Sequence, residues 1–231
     1  PAATGPLLSE FQTRHWLALG GVPMPEVFLA ADADQAFKIS TDVGAPVALK
    51  VQIAAIAHKT EAGLVALDVR PGEDVQRVFE KLLAAASEHT DVGAVEGVQL
   101  QAMSPEGVEI IVGVQQDPDF GPMLLLGSGG ILVELINDTR MVALPIDEQG
   151  IRAELRALKC WPLLRGFRGR PAADVDALVA LMLSLQTFAL ANGEHYEDLE
   201  LNPIRVHATG MGVTILDASA RLRDKPLPTE P

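Results

Sequence analysis

A lysine stands in the middle of the apolar segment Val47-Ala-Leu-Lys-Val51. Burying an ammonium group without a partner is costly, so Lys50 must either reach a polar cavity or lie on the exposed face of an edge strand. A few residues later, a loop of small residues carries His58 next to Lys59, a group that titrates near neutral pH beside a fixed cation. Spacing alone does not choose between the two settings for Lys50, and a surface loop is the more frequent setting for such a histidine.

Two further groups of polar residues could bind a nucleotide and a metal ion. Glu109 follows shortly after Gln101-Ala102-Met103, and a carboxylate there can accept hydrogen bonds from ribose hydroxyls. Glu200 and Asn202 would share one face of a strand, and Asp217 lies on the segment that could pair with that strand. Carboxylate and amide oxygens suit Mg²⁺, which keeps several waters and takes few protein ligands. The alternatives are an exposed charge for Glu109 and a polar hairpin edge for the others.

The glycine run Gly127-Ser-Gly-Gly130 could direct backbone N–H groups at an anion. A tight turn between two strands is the more frequent use of such a run. The sequence has neither a GxGxxG that follows a strand nor a GxxxxGK[ST], so the two standard phosphate-binding loops are absent.

Hydrophobic periodicity predicts helices mixed with short strands. Because neighbouring short strands favour antiparallel pairing, we expect an α+β (mixed α/β) fold rather than a doubly wound sheet. Asp34 is expected to cap the second helix, and short apolar pieces are expected at 122–126, 130–135 and 141–145. The predicted helices are 9–19, 34–42, 75–87, 147–159 and 173–191, and the predicted strands are 45–52, 64–69, 98–103, 108–114, 199–206 and 213–217.

The composition restricts the class of protein. The chain has 231 residues, a hydrophobic content of 48% and a net charge of −13, which argue for a folded core and against a nucleic-acid partner. The longest apolar stretch, 177–191, is interrupted by polar residues and falls short of the ~20 residues that span a bilayer. The single cysteine, Cys160, fits a reducing compartment. We therefore expect a cytoplasmic protein without a membrane partner, and the start at Pro1 suggests a segment of a longer protein.

Four stretches, taken in order, resemble the nucleotide-binding β subunit or domain of NDP-forming acyl-CoA synthetases, relatives of succinyl-CoA synthetase in the ATP-grasp family. They are PVALKVQIAAIAHKTEAG, EGVEIIVGVQQDPDFGPMLLLGSGGILVE, LLRGFRGRPAADVDAL, and EDLELNPIRV with ILDA. The resemblance implies an ATP-grasp fold, in which two subdomains with mainly antiparallel sheets hold the nucleotide between them. The expected bounds are 1–20 plus 104–220 for the larger subdomain, 21–103 for the smaller one and 221–231 for a loose tail.

The resemblance also implies a role for each candidate residue. Lys50 would bind the nucleotide phosphates, and the segment Gln101-Ala102-Met103 would bind the adenine. Glu109 would bind the ribose hydroxyls. The ligands of Mg²⁺ would be Asn202 and Asp217, with weaker support from Glu200.

The implied activity is that of an ADP-forming acid–CoA ligase, which converts acid, CoA and ATP into acyl-CoA, ADP and phosphate through an acyl phosphate and a phosphohistidine. A CoA-binding companion domain or subunit would carry one phosphorylated histidine, and His58 would be a second. The loop departs from the family pattern at Leu64, where a second glycine is usual.

Two other interpretations remain open. One is a regulatory or degenerate ATP-grasp domain fused to a protein acetyltransferase. The presence of all the candidate nucleotide and metal residues argues against it. The other is a carboxylate–amine ligase, against which the His58-Lys59 loop and the DPDFGP stretch argue.

Overall fold

The computed structural model describes four ranges of the chain, residues 5–54, 59–89, 94–130 and 138–223. The chain divides into two compact units. Unit 1 comprises Pro1–Leu8, Gln12–Pro25 and Ser104–Pro231, and unit 2 comprises Ser9–Phe11 and Glu26–Met103. These bounds differ from the expected subdomains at three places: Ser9–Phe11 belongs to unit 2, residues 21–25 belong to unit 1, and unit 1 also includes residues 221–223 of the expected tail.

The described elements mix helices and strands along the chain. The helices are α1 (Glu10–Leu19), α2 (Ala33–Val43), α3 (Glu73–Ala86), α4 (Glu148–Arg156), α5 (Trp161–Leu164) and α6 (Val175–Ala191). The strands are β1 (Phe28–Ala30), β2 (Val47–Gln52), β3 (Val65–Val69), β4 (Gly97–Ala102), β5 (Val108–Asp117), β6 (Gly121–Ser128), β7 (Thr139–Ala143), β8 (Tyr196–Val206), β9 (Val213–Ile215) and β10 (Ala218–Leu222). The strand pairs are antiparallel, which confirms the expected α+β class.

Unit 2 contains a four-stranded sheet in the order β1-β4-β2-β3, against which α2 and α3 pack. β2 lies between β4 and β3, and all six of its residues are buried. Val47, Leu49 and Val51 join the apolar core of this unit. Since side chains alternate along a strand, Lys50 and Gln52 lie on the other face of the sheet. The edge-strand alternative for Lys50 is therefore wrong.

The second helix begins slightly before the predicted position. Asp32, not Asp34, is its N-cap, and a side-chain oxygen of Asp32 accepts a hydrogen bond from the backbone N–H of Gln35 at 2.8 Å. Gly44 ends the helix with a φ of 65°, a left-handed conformation that favours glycine, and its N–H donates to the carbonyl of Ser40.

Unit 1 contains a six-stranded sheet in the order β10-β8-β5-β6-β7, and β9 also pairs with β8. α6 packs against β5, β6 and β8, and most of its apolar side chains are buried. The ring of Phe188 in α6 meets the ring of Trp16 in α1 edge to face, with 4.9 Å between their centroids. None of the helices in the described ranges is long and apolar enough to cross a membrane.

Asp174 connects the start of α6 to the turn between β8 and β9. One carboxylate oxygen accepts the N–H of Ala177 in the first turn of the helix, and the other accepts the N–H groups of Gly210 and Gly212 at 2.9 and 2.8 Å. The hydrogen bond from Gly212 is the main reason why the pKa of Asp174 lies below its usual value. This contact fixes one end of the strand that carries Glu200 and Asn202.

Several elements differ from the sequence prediction. β1 and α5 were not predicted, since each is only three or four residues long. The last predicted strand, 213–217, is shorter and is followed by a second strand, β10, whose alternating burial includes Arg221 and Leu222 of the expected loose tail. Residues 131–135 of a predicted apolar piece, and 224–231 of the tail, lie outside the described residues.

The packing of α6 predicts a strong contrast between two of its leucines. Leu185 is fully buried in the core of unit 1, whereas Leu190 is 45% exposed. Leu185→Ala should lower the free energy of unfolding by about 2–5 kcal/mol, because it leaves a cavity. Leu190→Ala, the matched control, should change it by about 0.5 kcal/mol or less. Urea unfolding followed by circular dichroism measures both, and equal losses would contradict this packing of the helix.

Candidate functional site

Lys50 is neutralised by a carboxylate from a distant part of the chain. Its ammonium nitrogen lies 3.0 Å from Oε1 and 3.3 Å from Oε2 of Glu10, the first residue of α1. Lys50 is 9% exposed and Glu10 is 1% exposed. The apolar strand can therefore contain a cation because an anion is buried with it. Nothing in the spacing around Lys50 could reveal this partner, since the contact is non-local.

Glu10 also contacts two other polar side chains of unit 2. The ammonium of Lys59 lies 3.5 Å from Oε2, and the amide of Gln99 donates to Oε1 at 3.0 Å. Gln99 in β4 pairs directly with Lys50 in β2. Two lysines therefore converge on one buried carboxylate. Lys59 is the residue next to His58, and His58 itself lies outside the described residues.

The predicted adenine-binding segment lies at the end of β4. Gln101 is buried and Ala102 is exposed. The N–H of Met103 donates to the carbonyl of Pro46 at 2.9 Å, and its sulfur accepts a contact from the N–H of Asp68 at 3.4 Å. The segment is thus held to its neighbours through Met103. Its contact with adenine stays a prediction.

The predicted ribose and metal residues of unit 1 come together around Gly130. The N–H of Gly130 donates to Oδ1 of Asn202 at 3.3 Å, and the amide of Asn202 donates to Oε1 of Glu200 at 3.1 Å. A Cβ atom at position 130 would lie 2.2 Å from a carboxylate oxygen of Glu109. Gly130 also has a φ of 65°, which disfavours other residues. Gly130 therefore allows a close approach of polar side chains, a role that the sequence did not indicate, while the binding of an anion by the glycine run stays a prediction.

Asp217 lies next to Asn202 across the sheet. The backbone N–H of Asn202 donates to the carbonyl of Asp217 at 3.1 Å. The side chain of Asp217 accepts the N–H of Ala218 at 2.8 Å. Asp217 occupies the bend between β9 and β10 rather than the strand in which it was expected. The predicted proximity of the two residues is present although the local geometry differs.

Glu109 forms an ion pair that sequence reasoning missed. Its Oε1 lies 2.7 Å from a guanidinium nitrogen of Arg205, which is its cross-strand partner on β8. Another nitrogen of Arg205 donates to the carbonyl of Ser104 at 3.3 Å. Arg205 therefore fixes one carboxylate oxygen of Glu109, while the other lies on the side of Gly130. The cross-strand register that makes this pair could not be read from the sequence.

The oxygen atoms near Asn202 fit a hard divalent cation. Two carboxylates, Glu200 and Asp217, and one amide oxygen supply the ligand type that Mg²⁺ and Ca²⁺ prefer. Within the described ranges, no three side chains of the His, Cys, Asp and Glu types are grouped as a metal site. The assignment of Asn202, Asp217 and Glu200 to a metal ion stays a prediction.

Unit 1 also contains a cavity of about 750 Å³ beside Glu109. Its size falls in the range of roughly 300–1,000 Å³ that is typical of ligand sites. Burial raises the pKa of Cys160 in its wall to about 11, so this thiol is protonated at neutral pH. Most of the lining is apolar, and it includes Val108, Leu163, Phe167, Pro171, Val206 and Ala208.

Asp138 holds one wall of this cavity together. Its carboxylate accepts hydrogen bonds from the backbone N–H groups of Lys159 and Cys160 at 2.7 and 2.8 Å, and from the hydroxyl of Ser128 at 2.9 Å. Desolvation acts to raise the pKa of Asp138, but these hydrogen bonds outweigh it and hold the pKa below its usual value. Asp138 is thus a structural carboxylate that joins the end of β6 to the segment between α4 and α5.

Comparison with known proteins identifies the family. The profile of the ATP-grasp domain family matches residues 2–222. This chain belongs to the ATP-grasp family. Within this family, the chain is similar to the β subunit of acetate–CoA ligase [ADP-forming] II from Pyrococcus furiosus. The two sequences are 32% identical over 214 residues, and this alignment covers 93% of this chain and 91% of the relative. The resemblance to the β subunits of acyl-CoA synthetases is thereby confirmed.

Two further comparisons give relatives of the same kind, one of which is a longer protein. Trans-feruloyl-CoA synthase FCS1 from an unknown prokaryotic organism is 32% identical over 216 residues, which cover 94% of this chain and 30% of that protein. A structure of acetyl-coenzyme A synthetase 1 from Ca. Korarchaeum cryptofilum, in complex with coenzyme A and Ca-AMPCP, matches with a TM-score of 0.87 at 28% identity over 94% of each chain. These relatives favour the acyl-CoA synthetase interpretation over an acetyltransferase fusion.

Proposed function

We propose that this chain is the nucleotide-binding part of an ADP-forming acyl-CoA synthetase, which converts a carboxylic acid, CoA and ATP into acyl-CoA, ADP and phosphate. The observation that carries the proposal is the alignment with a β subunit of such a ligase along 93% of this chain and 91% of the relative. Because that relative is a subunit, we propose a CoA-binding companion, fused or separate, that holds the acid and CoA. The Ca-AMPCP complex of the Korarchaeum enzyme supports ATP and ADP as substrates.

We propose for the nucleotide the residue roles that the family resemblance implies. Lys50 binds the phosphates, and the adjacent cation Lys59 in the same cluster supports this assignment. Glu109 binds the ribose hydroxyls, and its ion pair with Arg205 holds one oxygen of this carboxylate in place. The segment Gln101-Ala102-Met103 binds adenine.

Asn202 and Asp217 would hold Mg²⁺, and Glu200 would act indirectly. The amide N–H of Asn202 donates to Glu200, and this hydrogen bond orients the amide so that its oxygen points away from Glu200. When bound, the ion neutralises charge on the phosphates during phosphoryl transfer. Glu200 thus sets the direction of the amide oxygen of Asn202.

His58 would carry the phosphoryl group between nucleotide and companion. In the synthetic direction, an imidazole nitrogen attacks the γ-phosphorus of ATP, so that a P–N bond forms as the P–O bond to ADP breaks. The phosphoryl group then passes to the companion histidine and from there to a carboxylate oxygen of the acid, and in each transfer the old P–N bond breaks as the new bond to phosphorus forms. The CoA thiol, which loses its proton, finally displaces phosphate from the acyl phosphate. Lys59, next to His58 in sequence, would neutralise charge on the transferred group.

The first prediction concerns Lys50. Lys50→Ala should weaken the binding of Mg-ADP by about 10–100-fold, because a charged hydrogen bond to phosphate is lost. Lys38→Ala removes the same charge from an exposed position of unit 2 and should leave the affinity unchanged. Titration calorimetry measures both. Equal affinities of wild type and Lys50→Ala would remove Lys50 from the site.

The second prediction concerns the metal. Asp217→Asn should raise the Mg²⁺ concentration that nucleotide binding requires, since a charged oxygen ligand becomes neutral. Asp119→Asn makes the same change at an exposed turn of unit 1 and serves as the control. Mg²⁺ is titrated at fixed ADP. If Asp217→Asn requires the same Mg²⁺ concentration as wild type, the segment between β9 and β10 is only structural.

The third prediction concerns His58 in the complete enzyme with its companion. After incubation with ATP radiolabelled at the γ-phosphate, we expect an acid-labile, base-stable phosphoramidate on His58. His58→Asn should bind nucleotide normally and lose most acyl-CoA formation, while His89→Asn, at an exposed position, should keep it. Near-normal turnover of His58→Asn would assign phosphoryl transfer to the companion histidine alone.

A further inference from the structure

Glu10 links the two lysines of unit 2 through a single carboxylate. Oε1 accepts from Lys50 and from Gln99, both at 3.0 Å, while Oε2 lies 3.3 Å from Lys50 and 3.5 Å from Lys59. Both ammonium groups are therefore within reach of the same oxygen atom. Two like charges that repel each other are held as neighbours by the anion between them.

The segment that carries Glu10 is itself fixed to unit 2. The hydroxyl of Ser9 donates to a carboxylate oxygen of Glu96 at 2.8 Å, and the N–H of Phe11 donates to Oε1 of Gln52 at 2.9 Å. Gln52 is fully buried in β2, two residues beyond Lys50. Contacts on both sides of Glu10 thus hold its backbone against the strand that carries Lys50.

We infer that Glu10 is a positioning residue, which places Lys50 and Lys59 together as one binding site for the nucleotide phosphates. A lysine side chain has a flexible four-carbon stem, so a cation that must meet a phosphate gains from being anchored beforehand. An ammonium group has three N–H donors, so a lysine can contact Glu10 and a phosphate oxygen at the same time. The inference rests on the proposed function and adds Glu10 and Lys59 to the residues that serve the nucleotide.

The stability of the fold alone is a weak reason for this arrangement. A buried ion pair adds little stability compared with well-packed apolar residues of similar volume, because desolvation offsets most of the attraction. The structure nevertheless buries three polar side chains together, between β2, β4 and the first turn of α1. They are Glu10, Lys50 and Gln99. A cluster of two cations around one fixed anion is better explained by the phosphate groups that it would receive.

The test is a titration of the whole chain with ADP in the presence of Mg²⁺. Glu10→Gln keeps the shape of the side chain but exchanges one acceptor oxygen for an NH₂ donor, which can no longer hold both lysines. We expect its ADP affinity to fall by about tenfold or more. Lys59→Ala should also weaken binding. Glu80→Gln, the same exchange at an exposed position of unit 2, should bind ADP like wild type.

A double variant separates positioning from a general loss of structure. If Glu10 acts through Lys50, adding Glu10→Gln to Lys50→Ala should lower the ADP affinity by much less than it lowers that of wild type. Equal losses in both backgrounds, or wild-type affinity of Glu10→Gln, would overturn the inference and leave the proposed function standing. Wild-type affinity of Lys59→Ala would overturn the part that concerns Lys59. Failure of the wild-type chain to bind ADP would overturn the proposed function together with the inference.

Discussion

A buried cation is the constraint on which unit 2 depends. Lys50 lies in the middle of a strand that is covered on both faces, so its ammonium group needs an anion that the strand cannot supply. Glu10 provides it from the first turn of α1. The three residues Ser9–Phe11 belong to unit 2, although the segments on either side of them belong to unit 1. The ion pair of Glu10 and the hydrogen bonds of Ser9 and Phe11 together hold this short piece of backbone in unit 2.

Unit 1 meets a different requirement, which is to bring several oxygen-bearing side chains close to one another. Glu109 and Asn202 both approach Gly130: a Cβ at this position would collide with the carboxylate of Glu109, and the backbone N–H of Gly130 donates to Asn202. Contacts between neighbouring strands then hold the individual groups. Arg205 forms an ion pair with Glu109, and the backbone N–H of Asn202 donates to the carbonyl of Asp217. The cluster is thus built by the sheet register and by one glycine.

The sequence was sufficient for the local elements and for the fold class. The periodicity of β2, α3 and α6 and the glycine that ends α2 are local signals, and the structure contains all four. The family resemblance, carried by short motifs, was confirmed by comparison. The partners Glu10 and Arg205 were not predicted, because each contact depends on a strand register or on a segment far away in the chain. Asp217 was placed near Asn202 but in a strand rather than at a bend, since no local signal marks the interruption between β9 and β10.

The position of β8 within its sheet affects how readily its backbone amides open. Glu200 and Asn202 lie on a strand that has β5 on one side and β9 and β10 on the other. Backbone amides of such an interior strand open only in large, infrequent fluctuations, whereas termini and exposed loops open readily. The two side chains are therefore anchored in a part of the domain that is ordered before any ligand arrives. Little conformational entropy is then lost at these two residues when a ligand binds. The entropy cost of ordering the site falls on other segments.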